Sequence, residues 1–589
     1  MSVPNIREIL SKRIFYIPAV VYLIIFGLLP FGISIYLSAP SSDFASYVRI
    51  FQLTNFPRIL YNTFVFSVGT AVFSVVIGTV LAILVDSRTH AKRALSLISY
   101  LPYMIPFTAS ALIFATLYNP GYGPIDPILK AIGLPIINWL GSGMDLYSLT
   151  ITGIWATLPL AFLITLAGLT SVPKQVKEAS VVDGMGMWDY YSSEALPLAK
   201  GAILTAFLMT MILAFGDFDL PFILGGAGGV PPTTMATLVT FSYAQMFYEG
   251  LVSQGLATTM ILALIVSIPG LLLVRVTLGG GRKDGGAGRL FHLPSVHFPS
   301  LHLPHLPNGP FKYLIYVVSA LVFIFILFPI YWMGLLAFRP QALDYVIPPI
   351  LLPTKIISSI FLTTVTQATP EIITTTAIAI AVTALTIALA APAAYTIARQ
   401  GRRALLGIII YVFSIPSIAF VFGAFYIISR LHLLNTWWAL ILTEPLFTVP
   451  FVIWTMSNFY NSLPKSYEEA ALVDGYSPLR SFFQIVMPLA RPGLIAAAMV
   501  AFIFAWHLLL FPLVMSQTPW NFHFPPVGSN TVTTFAVIFD PDSTGGSVSN
   551  NVWVQLAASG IILAVPVIVL SVIAQSYLLK GLYSGGTKG

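Results

Sequence analysis

Cysteine is absent from all 589 residues. That excludes disulfide bridges and thiolate metal sites and otherwise says little about compartment. Charge is scarce as well: 8% of residues are Asp, Glu, Lys or Arg, against roughly 25% in soluble domains. With 57% hydrophobic residues and a mean hydropathy of +0.89, the chain is not a soluble globular protein. Catalytic signatures are missing too. No G-x-x-x-x-G-K-[ST] loop is present to wrap phosphates with backbone amides. GGGRKDGG at 279–286 is Gly-rich but lacks the Lys-Ser/Thr pair and a preceding strand. Ser, His and Asp occur, yet no G-x-S-x-G elbow positions a nucleophile. The expectation is a non-enzyme that binds no cofactor and no metal, and whose energy source is another polypeptide. The first apolar run has no small-residue cleavage site and reads as a retained anchor.

What the chain has instead is apolar runs of about 20 residues, the length that crosses a bilayer. Twelve are expected, six near 15–37, 62–85, 96–118, 147–170, 199–224 and 252–278, and six near 312–335, 372–396, 405–429, 436–459, 493–515 and 552–579. The fold class is therefore an all-α integral membrane protein with two pseudo-equivalent six-helix halves. A net charge of +7 invites a nucleic-acid reading, but the distribution of charge argues against it. Of the 28 Lys and Arg, only Arg49, Arg58, Lys130, Arg339, Lys355 and Arg430 fall in outer loops of the twelve-span arrangement. The rest lie inside, as the positive-inside rule requires. Both termini are then cytoplasmic, the protein is multi-pass in the plasma or inner membrane among lipid, and no nucleic-acid partner is expected.

One polar stretch occurs twice. Residues 178–197 read EASVVDGMGMWDYYSSEALP and residues 469–488 read EAALVDGYSPLRSFFQIVMP, 291 positions apart. Glu178, Ala179, Asp183, Gly184 and Pro197 correspond to Glu469, Ala470, Asp474, Gly475 and Pro488, and Pro173 upstream corresponds to Pro464. Each copy follows a Pro, which presets a helix start. Each then meets a Gly, which ends a helix in a left-handed conformation at no steric cost. The pattern predicts a compact helix–turn–helix on the cytoplasmic surface of each half, a shape suited to lying in a partner's groove. An acidic residue near a helix start gains a few tenths to about 1 kcal/mol from the macrodipole. That accounts for one glutamate but not for a duplicated E-A-x-x-x-D-G at fixed offset.

This duplicated stretch resembles the EAA loop of the membrane subunits of ATP-binding-cassette importers, E-A-A-x-x-D-G, nine residues, then I-x-L-P. The second copy fits through Glu469, Ala470, Ala471, Asp474, Gly475, Ile485 and Pro488, whereas the first departs at Ser180 and Glu194. Other stretches are similar to the two membrane subunits of carbohydrate (maltose/trehalose-type) importers: 101–126, 167–173 and 215–234 to one, and FPIYWMGLLAFRP (328–340), AAYTIAR (393–399), LLNTWWALIL (433–442) and the tail 575–589 to the other. The resemblance implies a type I importer permease with both subunits fused. Residues 1–278 would be one half, 279–311 a cytoplasmic linker and 312–589 the other half. It also implies docking of two ATPase subunits at the loops, an approach of Gly585 to Gly589 to that interface, and delivery of a sugar by an extracytoplasmic solute-binding protein.

The linker is Gly-rich and then regularly Pro-containing, a flexible piece joined to a semi-rigid one. His292, His297, His302 and His305 recur in it without a carboxylate or Cys, so a plain tether outweighs a metal site.

Ionisable residues inside apolar spans are costly and point to a cavity or function. Those here are Asp217 and Asp219, beside Phe218, in the fifth span, Glu444 in the tenth, and His507 beside Trp506 in the eleventh. Carboxylates accept from sugar hydroxyls and aromatic rings stack on sugar faces, so these six are candidate substrate-path residues for a neutral polyhydroxylated ligand. The structural alternatives are that Asp217 caps a kink near Gly216, and that Glu444 serves the backbone groups freed at Pro445. In the resembled family Asn stands where His507 does. Rival readings are a permease for a metal ion or small anion, and an ion-driven secondary transporter built from two six-span repeats. No basic group sits well inside a span, and the duplicated loop has no purpose in the secondary transporter.

Overall fold

The computed structural model describes residues 15–584 apart from 41–43, 88–91, 121–122, 142, 227–230, 280–307, 341–342, 344–345, 347–349, 353–354 and 516–551. The linker histidines and Gly585 to Gly589 lie outside the described residues. Every regular element among those described is helical. Eight helices are long and apolar enough to cross a membrane, and three further spans are bent pairs. In chain order they are α1 Ile17–Ser38, α2 Phe56–Asp86, the bent α3 Leu95–Met104 with Phe107–Leu117, α4 Asp145–Thr170, α5 Met187–Phe215, α6 Val252–Leu278, α7 Tyr316–Phe338, α8 Ser359–Gln400, the bent α9 Arg403–Ser414 with Ile418–Arg430, α10 Trp437–Ser462 and the bent α11 Pro478–Leu489 with Arg491–His507. A shorter apolar helix, α12 Val554–Leu570, completes the series. Each expected span has its helix.

Prolines set the bends. α3 turns by 95° at Ile105–Pro106 and α9 by 89° at Ile415–Pro416. The residue before Pro is pushed out of the helical region, and Ile105 and Ile415 are extended. α11 turns by 80° at Ala490, two residues before Pro492. In the first half the position of Pro492 is held by Gly201, and α5 runs straight through it.

Tight helix packing follows small residues. On α2, Thr70, Ser74 and Gly78 recur every fourth position and face Gly153, Thr157 and Ala161 of α4, themselves spaced by four. Ser74 and Thr157 share a hydrogen bond of 2.9 Å between hydroxyls. A methyl group on Gly78 would sit 2.8 Å from the Phe162 backbone nitrogen. Such close approach replaces the hydrophobic effect as the cohesive force between helices in lipid.

The chain divides into two compact units that do not follow the repeat boundary. One comprises residues 38–371 and 532–568, the other 1–37, 372–531 and 569–589. α7, the first span of the second half, thus belongs with first-half helices. Trp155 of α4 donates to the carbonyl of Ile326 at 3.2 Å, and Trp332 of α7 donates to the Thr116 hydroxyl at 3.2 Å. Reciprocally, α1 belongs with second-half helices. Tyr22 donates to the carbonyl of Leu442 at 2.9 Å, and the Pro30 backbone lies where a side chain on Gly423 would be.

Candidate functional site

The two copies of the polar stretch fold as the helix–turn–helix the sequence predicts, with the same local geometry. The first helix is Lys174–Val182 in one copy and Ser466–Val473 in the other. Asp183 and Asp474 are the C-caps, and Gly184 and Gly475 follow at φ +70° and +82°. Both ends close as Schellman motifs. Gly184 N–H donates to Val181 O (3.2 Å) and Met185 N–H to Ser180 O (2.9 Å). Gly475 N–H donates to Leu472 O (3.1 Å) and Tyr476 N–H to Ala471 O (3.0 Å). These bonds satisfy carbonyls that a helix end otherwise leaves open. The second helix starts at Met187 or Pro478 and passes through one wide π-helical turn, Tyr190–Ala195 or Phe482–Val486. That turn buries Tyr190, Tyr191 and Ala195 in the first copy and Phe482 and Val486 in the second.

Burial divides each first helix into two faces. Ser180 and Ala471 point inward. The Ser180 hydroxyl is satisfied by donating to the Lys177 carbonyl at 2.8 Å, so the departure from Ala at this position leaves the fold of the loop unchanged. Glu178, Ala179 and Asp183 are exposed in one copy, as are Glu469, Ala470 and Asp474 in the other. Val182 and Val473 are each 86% exposed. An apolar side chain is thus exposed at matching positions 291 residues apart, beside a small Ala and an acidic pair. Pro197 and Pro488 are exposed on the next turn of helix.

The six candidates within the spans separate by role. Asp217 is buried in the break after α5. Its Oδ1 accepts from the N–H groups of Asp219 (3.1 Å) and Leu220 (3.4 Å), so it caps the short helix Asp219–Leu224. Its Oδ2 has no partner among the described residues. Asp219 is half-buried and accepts from the Thr108 hydroxyl at 3.1 Å. Phe218 is buried and stacks on Phe222 at 4.6 Å. In the other unit, Trp506 is fully buried and stacks on Phe502 at 5.8 Å. His507 is half-buried at the corresponding break, before the short helix Leu510–Met515, and its Nε2 has no partner among the described residues. Glu444 is buried just before Pro445, with Oε2 likewise unpartnered. The structure therefore groups Asp217, Phe218 and Asp219 around one helix break and sets Trp506 and His507 at its equivalent. Sequence reading missed Thr108, whose hydroxyl reaches Asp219, and Asn62, whose amide donates to the carbonyls of Thr233 (2.9 Å) and Ala236 (3.1 Å). Asn62 was legible as a polar residue at the start of an apolar run.

Apolar helices of membrane-spanning length that carry the same polar helix–turn–helix twice, 291 residues apart, define a polytopic helical membrane protein with an internal repeat. The chain belongs to the family of binding-protein-dependent transport system inner membrane components, whose pattern it matches twice, over residues 74–277 and 384–582. It is 28% identical over 289 residues to the trehalose/maltose transport system permease protein MalF of Thermococcus litoralis, covering 47% of this chain and 96% of that one. It is 35% identical over 210 residues to the trehalose transport system permease protein SugB of Mycobacterium tuberculosis, covering 35% of this chain and 72% of that one. A chain of a bacterial alginate ABC transporter, solved with an alginate pentasaccharide-bound periplasmic protein, is similar at 20% identity and a TM-score of 0.42, over 47% of this chain and 99% of that one. The protein is thus a multi-pass inner-membrane component of a binding-protein-dependent transporter, with the family domain present twice in one polypeptide.

Proposed function

We propose that this chain is the complete transmembrane pathway of an ATP-driven importer for a sugar or oligosaccharide, working by alternating access. Two ATPase subunits dock from the cytoplasm on the loops 178–197 and 469–488, each receiving a short helix in a groove. The contacts are Glu178, Ala179, Asp183 and Gly184 on one side and Glu469, Ala470, Asp474 and Gly475 on the other, with Ala471 turned inward beneath that face and Pro197 and Pro488 setting the following turn. ATP and Mg belong to those subunits, and this chain holds no cofactor. An extracytoplasmic binding protein delivers the ligand to the outer loops, and both termini are cytoplasmic. Asp219 and Trp506, with Phe218, Glu444 and His507, are the groups proposed to meet the ligand. Asp217 acts on the same path through its cap.

The observation that carries the reading is the pair of loops with matching Schellman ends and exposed Ala and Val faces. The trehalose and maltose named for the similar permease proteins support a sugar as the ligand class. The test is ATPase activity of the reconstituted chain with its co-purifying ATPase, with and without loaded binding protein, across a sugar panel. Stimulation by one sugar, lost in Glu469→Lys, is the expected result. Uptake driven by an ion gradient with no ATPase would overturn the reading.

A further inference from the structure

The stretch AAYTIAR (393–399) ends α8 and sits next to the second docking loop. Tyr395 and Arg399 are four residues apart, so a helix places them on one face. Both reach the same carboxylate. Arg399 Nε donates to Glu468 Oε1 at 2.7 Å, its second terminal nitrogen forms an ion pair with the same oxygen, and Tyr395 OH donates to Glu468 Oε2 at 2.9 Å. Glu468 immediately precedes Glu469 of the loop and lies in the first turn of Ser466–Val473. Arg399 also donates to the carbonyls of Tyr460 (2.8 Å) and Leu463 (3.4 Å), at the end of α10. A cation there satisfies open carbonyls and the negative end of the helix dipole. Around the polar clasp, Phe15, Tyr395, Tyr460 and Phe482 pack ring on ring, Phe15–Phe482 at 5.2 Å and Tyr395–Phe482 at 4.9 Å.

We infer that the Arg399–Glu468–Tyr395 clasp is the positioning device that fixes the second docking loop to α8 and carries the loop's movement into that span. This rests on the importer reading and deepens it. The geometry favours transmission for a specific reason. The guanidinium and a phenol donate to one carboxylate from two sides while two helix-end carbonyls accept from the same guanidinium, and charge-assisted bonds of this kind are directional and short. Both side chains are largely shielded, 11% and 14% exposed, so salt screens the pair less than it would a surface pair. The clasp is particular to the second loop. At the position of Glu468 the first copy carries Lys177, which lies over the Tyr190 ring at 5.9 Å. The tie to its own second span there is Tyr191 OH donating to Asp86 at 2.9 Å. The two loops thus offer ATPase partners the same surface on unlike mountings.

Two measurements on the reconstituted full chain test this. The absence of cysteine lets Gln400→Cys and Leu472→Cys be spin-labelled without background. In lipid nanodiscs with no ATPase present, a single narrow distance is expected between the labels, broadening at least twofold on Glu468→Gln or Arg399→Ala. With the ATPase partner and a loaded binding protein, solute imported per ATP hydrolysed should fall at least fivefold in both variants and recover in part in Arg399→Lys, which keeps the charge without the fork. A general loss of stability would lower import and hydrolysis together and leave their ratio unmoved. An unchanged ratio and an unchanged distance distribution in both variants overturn the clasp as a transmitter. Uptake by the wild-type chain that proceeds without ATP hydrolysis by any partner subunit would instead overturn the importer reading, while the distance measurement still decides the clasp.

Discussion

Gly475 has no side chain to lose, yet its φ of +82° makes it the least replaceable residue of its loop. Nothing lies within 4 Å of where its Cβ would be, so the cost of Gly475→Ala is backbone strain alone, about 1–2 kcal/mol. The expected outcome is roughly tenfold weaker binding of the ATPase partner in a titration, with Gly475→Asn closer to wild type because Asn tolerates this region. Asp217 poses the complementary question. Asn keeps an oxygen for the N–H groups of Asp219 and Leu220, whereas Ala removes the cap at a cost of about 1 kcal/mol. Asp217→Asn is therefore expected to retain transport and Asp217→Ala to lose much of it. A dead Asp217→Asn measured in the same uptake assay would mean that the charge itself meets the ligand. Sequence alone marked Asp217 by cost and named the cap as the alternative to substrate contact. It did not mark Thr108, because a Thr in an apolar run is usually satisfied by its own helix.

Among elements, the α2–α4 seam shows how spans cohere without polar clusters or a water-driven core. Gly78→Val would force bulk against the Phe162 backbone, where even a methyl group is at 2.8 Å. Overpacking of this kind costs about 1–3 kcal/mol. A drop of several degrees in the apparent Tm of the purified protein is expected, and an unchanged Tm would mean the seam relaxes freely. Hydropathy located every span to within several residues at most ends, since burial in lipid leaves a plain signal in composition. Other boundaries escaped it, among them the starts of α5, α8 and α11. α8 begins at Ser359 rather than near 372, because TTVTQATPE is polar enough to read as loop while its threonines donate back to carbonyls four residues earlier, Thr363 to Ser359 and Thr366 to Leu362 among them. α5 begins at Met187 rather than near 199, because the π-helical turn Tyr190–Ala195 lets a polar segment continue the helix. Bends are visible in sequence only as prolines. Their angles are tertiary.

At the scale of the molecule, the duplication was legible and the exchange of first spans was not. A period of 291 residues says that two halves share a fold, but nothing in α1 or α7 records which helices each packs against. The exchange predicts how the chain behaves when cut within 279–311. Residues 1–278 and 312–589 made as separate chains in one cell should assemble and copurify, since each supplies a helix that the other's unit contains. Either alone should be degraded, because a unit lacking α7 leaves Trp155 and Thr116 without their partners. Accumulation of a protease-resistant 1–278 on an immunoblot would contradict this.

The same exchange sets a timetable for synthesis. α1 leaves the ribosome before the other helices of its unit, which begin at residue 372, more than 300 residues later. At 5–20 residues per second that is a wait of roughly 20–70 s with no packing partner from its own unit. A helix left in lipid for so long has to be stable there unaided. α1 carries no acidic or basic residue in its first or last turns, and its apolar window has a mean hydropathy of 2.3 with only 22% of it buried inside the protein. It is suited to wait because it asks little of its neighbours.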